Sequence, residues 1–109
     1  MAGSHNIFRI MTEQPDTTDP LAQLGACRQE LEHLDREIIA LIGKRLTLAR
    51  RTTALKRAAE LPILDPQREA VVIRKAVSHA RKLSVPEEPV REIFWHIVGM
   101  SRRIQEEAE

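Results

Sequence analysis

The sequence predicts an all-α fold of three helices per chain, one long and two shorter, closed into an intertwined helical homodimer. Three observations point there. Aromatic residues make up only 3% of the 109 residues and Tyr is missing, while Leu, Ile, Ala, Arg and Glu abound, so good strand formers are scarce and good helix formers are not. Two Asp-Pro pairs, Asp19-Pro20 and Asp65-Pro66, stand where apolar periodicity begins. Between them the apolar residues recur three and four apart, the spacing of one face of a helix.

The first element is expected to start at Asp19-Pro20, because an Asp side chain caps free backbone N–H groups and Pro at the first helical position loses no hydrogen bond. No further Pro occurs until Pro62. Leu24, Cys27, Leu31, Leu34, Ile38, Leu41, Leu48 and Leu55 form the stripe, which predicts one helix of about 40 residues, about 60 Å long. Gly43 inside it costs about 1 kcal/mol relative to Ala without forcing a break. Leu61 to Leu64 is a connection. The second helix is expected from Asp65-Pro66 to near Leu83, carrying Val72, Ile73, Ala76, Val77 and Ala80. Ser84 to Pro89 is a turn and helix start, and the third helix carries Val90, Ile93, Phe94, Ile97, Val98, Ser101 and Ile104 on one stripe. A first helix about twice the length of either partner cannot bury its stripe within one small chain, so a second copy is expected to cover the rest.

Residues 1–18 show no periodicity and read as a disordered leader or tag, with Met11 offering an original start, and the folded domain is expected over 19–109. A net charge of +1, from 17 basic and 16 acidic residues, argues against a global field that would draw nucleic acid or anionic lipid. Cys27 alone forms no intrachain disulfide and fits a reducing compartment. With no signal-peptide pattern and no apolar run of about 18 residues, the expected location is the cytoplasm and no membrane contact is expected. His5, His33, His79 and His96 show no metal-ligand spacing, and there is no Gly-rich phosphate loop, so neither metal nor cofactor is expected.

The informative residues are polar ones on apolar stripes, since a charge inside a helix interface is costly unless paired or met by a ligand. Arg45 falls between Leu41 and Leu48, Thr52 takes the next slot, and Lys56 lies eleven residues after Arg45, which returns it to within about 20° of the same direction. Arg28 borders the stripe seventeen residues before Arg45, about 26 Å along a helix, so an antiparallel partner would be needed to bring an Arg28 to Arg45. Arg68 and Glu69 precede Val72 and Ile73 by one turn, and Ser101 and Gln105 stand one turn apart beside Val98 and Ile104. Together they describe a dry pocket with several cations, one or two carboxylates, an amide and a hydroxyl, suited to a small dicarboxylate.

These residues, in order, resemble the all-α chorismate mutase family over about Leu24 to Gln105. The likeness rests on Arg28 seven before Asp35, Arg45 in Lys44-Arg45-Leu46, Lys56 after Ala54-Leu55, the string Asp65-Pro66-Gln67-Arg68-Glu69, and Ser101 with Gln105. The resemblance implies rearrangement of chorismate to prephenate without cofactor or covalent intermediate. It implies that Arg45 and the partner chain's copy of Arg28 clamp the substrate carboxylates with help from Arg68 and Ser101. Lys56 and Gln105 would donate to the breaking ether oxygen, and Asp65 and Glu69 would meet the ring hydroxyl region. Lys56, Gln105, Arg45 and Glu69 are thus the expected catalytic residues, with Arg28, Thr52, Asp65, Arg68 and Ser101 binding substrate. Thr52 stands where the family is expected to carry an apolar residue such as Val. Relatives on the same fold act on 4-amino-4-deoxychorismate or cleave pyruvate from isochorismate, and the joint presence of Asp65 and Glu69 favours chorismate.

Blander readings stand beside these. Arg28 alone fits a solvated flank or a dimer salt bridge, Asp65 a helix cap, and Ser101 or Gln105 an interhelical hydrogen bond. Arg50-Arg51 and Arg102-Arg103 read as solvated faces, Cys27 as a small packed residue, and Trp95 with His96 as filling a bundle edge. A rival function of another class is a helical dimerisation or regulatory module whose inward charges set register, indifferent to small dicarboxylates.

Overall fold

The computed structural model describes residues 19–108, which form three α-helices joined by short connections: α1 (Pro20–Ala58), α2 (Pro66–Lys82) and α3 (Glu87–Ala108). The expected leader, residues 1–18, lies outside the described residues. By contacts the chain divides into two units, one through Leu41 and one from Ile42 onward, with α1 contributing to both.

Each helix begins for the reason its sequence suggests. The Asp19 Oδ1 accepts from the Leu21 N–H at 3.1 Å and its carbonyl from the Gln23 N–H at 2.9 Å. Asp65 caps α2, its Oδ1 accepting from the Arg68 N–H at 2.9 Å with Pro66 at the first helical position. The helix α3 opens with Glu87 and Glu88, negative charge where the helix dipole favours it, so Pro89 sits inside the first turn, where its missing N–H costs nothing.

The helix ends carry a device that composition alone does not announce. At the end of α1, the Leu61 N–H reaches back to the Lys56 carbonyl at 2.8 Å while Glu60 takes φ 59°. The end of α2 repeats this, the Val85 N–H bonding the Ala80 carbonyl at 2.9 Å with Ser84 at φ 58°. Both stops satisfy orphan carbonyls, and both place a residue with a Cβ in the left-handed region that glycine enters without cost. Across the second turn, Arg81 holds Glu87 through two hydrogen bonds of 3.1 Å, a fork that ties the end of α2 to the start of α3. That hydrogen bond is the main reason the Glu87 carboxyl is held below its ordinary pKa and the Arg81 guanidinium above its own.

The core of the second unit is built from Ile73, Ala76, Val77 and Ala80 of α2 against Val98 and Ile104 of α3. Ala76 and Ala80 are small enough for these two helices to pack closely. From α1 the one buried residue is Thr53, 2% exposed, whose hydroxyl is satisfied by the Ala49 carbonyl at 3.0 Å. The face of α1 that meets the chain's own core is therefore the one carrying Ala49 and Thr53, not the leucine stripe. Leu24, Leu31, Leu34, Ile38, Leu41, Leu48 and Leu55 stay 44–62% exposed, and Cys27 is exposed rather than packed. Among the described residues of the first unit, none is buried. No helix among the described residues is long and apolar enough to cross a membrane.

Candidate functional site

Within the second unit a cavity of about 360 Å³ opens between the three helices, a size suited to a small ligand. Its wall takes Arg45, Leu48, Ala49, Thr52 and Lys56 from α1, Arg68, Glu69 and Val72 from α2, and Val98, Ser101 and Gln105 from α3. The periodicities of three separate helices thus converge, because each contributes residues one or two turns apart on a single face.

Arg45 is half-buried and its Nη1 donates to the Ser101 Oγ at 3.0 Å, which links α1 to α3 across the cavity. Lys56 is also half-buried, and its Nζ donates to the Ile63 carbonyl at 3.0 Å in the connection before α2. The carbonyl is a neutral partner, so this bond brings no counter-charge to the lysine. Gln105 places its amide oxygen out of solvent, where it accepts no hydrogen bond from any described residue. Such an atom costs about 1–3 kcal/mol unless a ligand or water meets the amide, and exchanging the amide ends puts donors there instead.

The lining carries three cations, Arg45, Lys56 and Arg68, against one carboxylate, Glu69. Glu69 is itself engaged: Arg102 grips both of its oxygens, the Nε to Oε2 bond measuring 3.3 Å and the second running from Nη2 to Oε1. The Glu69 side chain is 15% exposed and that of Arg102 47%, so the arginine lies on the solvent side of the pair. The pairing raises the Arg102 pKa, through the hydrogen bond first and the charge of Glu69 second, with Glu106 adding a smaller effect. Arg102 is exposed, as its place in a basic run suggested, and it is paired with Glu69 as well. The excess of positive charge beside apolar walls suits a dianion.

Thr52 lines the cavity, but its hydroxyl donates to the Leu48 carbonyl at 3.0 Å or the Ala49 carbonyl at 2.9 Å of its own helix. It offers the cavity the shape of a Val rather than a free donor. Two expected site residues do not join the lining. Asp65 is committed to the α2 cap, and Arg28 is exposed on the part of α1 that belongs to the first unit. Sequence reasoning missed Thr53, Arg102 and Ile63, whose carbonyl takes the lysine. No local pattern marks any of the three.

A second cavity of about 370 Å³ lies along α2, the following turn and α3, between Val72, Ala76, Ala80, Leu83, Val85 and Phe94, with Lys75 and His79 on its edge. It lacks a convergent set of polar groups and is not the candidate site.

The chain is similar to known proteins over this region. The family model described as "Chorismate mutase type II" matches residues 27–106, which include every residue of the polar cavity. The chain is 28% identical over 81 residues to the "T-protein" of Enterobacter agglomerans, covering 74% of this chain and 22% of that protein. It is 29% identical over 82 residues to the "Bifunctional chorismate mutase/prephenate dehydratase" of Aquifex aeolicus, covering 72% of this chain and 23% of that protein. Against the "Chorismate mutase" of Methanocaldococcus jannaschii it is 24% identical over 87 residues, 80% of this chain and 88% of the relative. The chain thus spans about a fifth of the length of the first two relatives and most of the third. No solved structure gives a significant match. With the family model spanning all three helices and the whole polar cavity, the chain belongs to the chorismate mutase type II family.

Proposed function

We infer that the chain catalyses the rearrangement of chorismate to prephenate at the polar cavity, as part of a homodimer in which the partner's Arg28 completes each site. The observation that carries this reading is the gathering of Arg45, Lys56, Arg68, Glu69, Ser101 and Gln105 around one cavity. Those residue types answer the needs of this reaction one by one.

The substrate is a dianion whose ether C–O bond breaks as a C–C bond forms within the same molecule, so the protein supplies neither nucleophile nor proton. Its tasks are to hold the compact reactive conformer and to stabilise the charge that grows on the ether oxygen. Arg45, hydrogen-bonded to Ser101, offers a fork to one carboxylate, and Arg68 and the partner's Arg28 bring the remaining positive charge. Lys56 and the Gln105 amide supply donors for the ether oxygen, and Glu69 accepts from the ring hydroxyl. No step calls for a cofactor or a metal. Thr52 contributes shape, and Asp65 acts through the α2 cap.

The exposed leucine stripe of α1 supports the dimer: a second copy laid along it covers Leu31, Leu34, Ile38 and Leu41, which have no cover in the single chain. The test is a substrate panel of chorismate, 4-amino-4-deoxychorismate and isochorismate with products separated chromatographically. A kcat/KM for chorismate that exceeds the other two supports the reading, and a higher value for either relative reassigns the substrate. Indifference to all three favours a dimerisation module.

A further inference from the structure

The Glu69–Arg102 pair presents a problem that the mutase reading leaves open. Glu69 is an anion in the wall of a cavity whose other charged residues, Arg45 and Lys56 from α1 and Arg68 from α2, are all cations. A glutamate has three rotatable bonds, and the pull of three cations in the same cavity wall acts on it. Left to itself, its carboxylate competes with an incoming dicarboxylate for the same guanidinium and ammonium groups.

Arg102 stands on the opposite side of Glu69. It is not part of the cavity lining, yet its fork takes both carboxylate oxygens, so it fixes the direction of the side chain as well as its charge balance. Glu106, one turn on along α3, adds negative charge near Arg102. Each carboxylate oxygen retains a second lone pair, so a carboxylate gripped in this way can still accept a hydrogen bond from a ligand hydroxyl.

We propose that Arg102 is a positioning residue that holds Glu69 back from Arg45, Lys56 and Arg68 and so keeps those cations free for the substrate's carboxylates. The proposal rests on the mutase reading and adds to it a residue that never touches substrate. Its signature is a split between the kinetic constants: loss of the restraint acts as internal competition, which raises KM and leaves kcat nearly unchanged.

The test measures kcat and KM for chorismate with the dimeric full chain and its Arg102→Met, Arg102→Lys, Glu69→Gln and Arg102→Met/Glu69→Gln variants, with thermal unfolding followed on each. Arg102→Met is expected to raise KM about tenfold with kcat within about threefold, and Arg102→Lys, which keeps the charge but loses the fork, to recover part of the difference. On the Glu69→Gln background the same Arg102→Met change is expected to move KM less than about twofold, because no competing anion remains. A purely structural role predicts the same KM rise on both backgrounds, and that outcome, or an unchanged KM in Arg102→Met, overturns the proposal while the mutase reading stands. A wild-type chain that leaves chorismate untouched overturns both.

Discussion

Replacing Ile38 by Glu puts a charge in the middle of the α1 stripe, seven residues before Arg45 and outside the cavity lining, and so tests the dimer without touching the proposed chemistry. Ile38 is 53% exposed in the single chain. Full burial of such a side chain contributes about 1.5–3 kcal/mol, so a partner that covers the exposed half gains about 1 kcal/mol from it. The substitution forfeits that gain and adds the cost of desolvating an unpaired carboxylate, several kcal/mol per ion, and two-fold symmetry places one such site on each chain. A total above about 5 kcal/mol weakens association by more than about a thousandfold. Sedimentation over a wide concentration range reads this directly. The wild type is expected to remain dimeric on dilution to nanomolar protein, and Ile38→Glu to sediment as monomer with its activity lost, since the partner's Arg28 is then absent from each site. A wild type that is a folded, active monomer, or an Ile38→Glu variant that dimerises like the wild type, refutes the reasoning.

Other outcomes follow from individual contacts. Lys56→Ala should lower kcat about 10²- to 10³-fold, the usual loss for one preorganised donor, with the dimer retained in sedimentation. Thr52→Val should change kcat/KM less than about threefold in a steady-state assay, because the hydroxyl is already spent on its own helix. Asp65→Ala should cost about 1 kcal/mol in chemical denaturation through the lost α2 cap, with kcat near the wild-type value; a large kcat loss at full stability would return Asp65 to the site. Ser84→Gly should raise stability by about 1 kcal/mol in the same denaturation experiment, by relieving the left-handed φ of 58°.

The three helices are legible in the sequence because their signals are local. Asp19-Pro20 and Asp65-Pro66 mark starts through caps that act within three residues, and the stripes of α2 and α3 need only their own 3.6-residue period. Arg45 and Lys56 are legible in the same way, as charges that break a stripe. What the sequence leaves open depends on register between helices. Nothing around Arg102 in its basic run tells that it faces a glutamate on α2 rather than water, since that depends on how α3 rotates against α2. Thr53, not a leucine, is the buried residue of α1, because the leucines of the stripe lie on a different face of the same helix and Leu46, on the Thr53 face, is only half-buried. The commitment of Thr52 to its own backbone is equally silent, since a threonine hydroxyl can face either way until the rotamer is known. Glu60 and Ser84 occupy left-handed positions without the glycine that usually announces them.

The central claim is that the cavity around Arg45 and Lys56 turns chorismate into prephenate. The most direct measurement is prephenate formation by the purified wild type beside an equal amount of Lys56→Ala prepared identically, which also measures any mutase carried over from the expression host. Sustained prephenate production is expected from the wild type and at least about a hundredfold less from the variant. Equal rates from the two proteins, or no prephenate from the wild type, would contradict it.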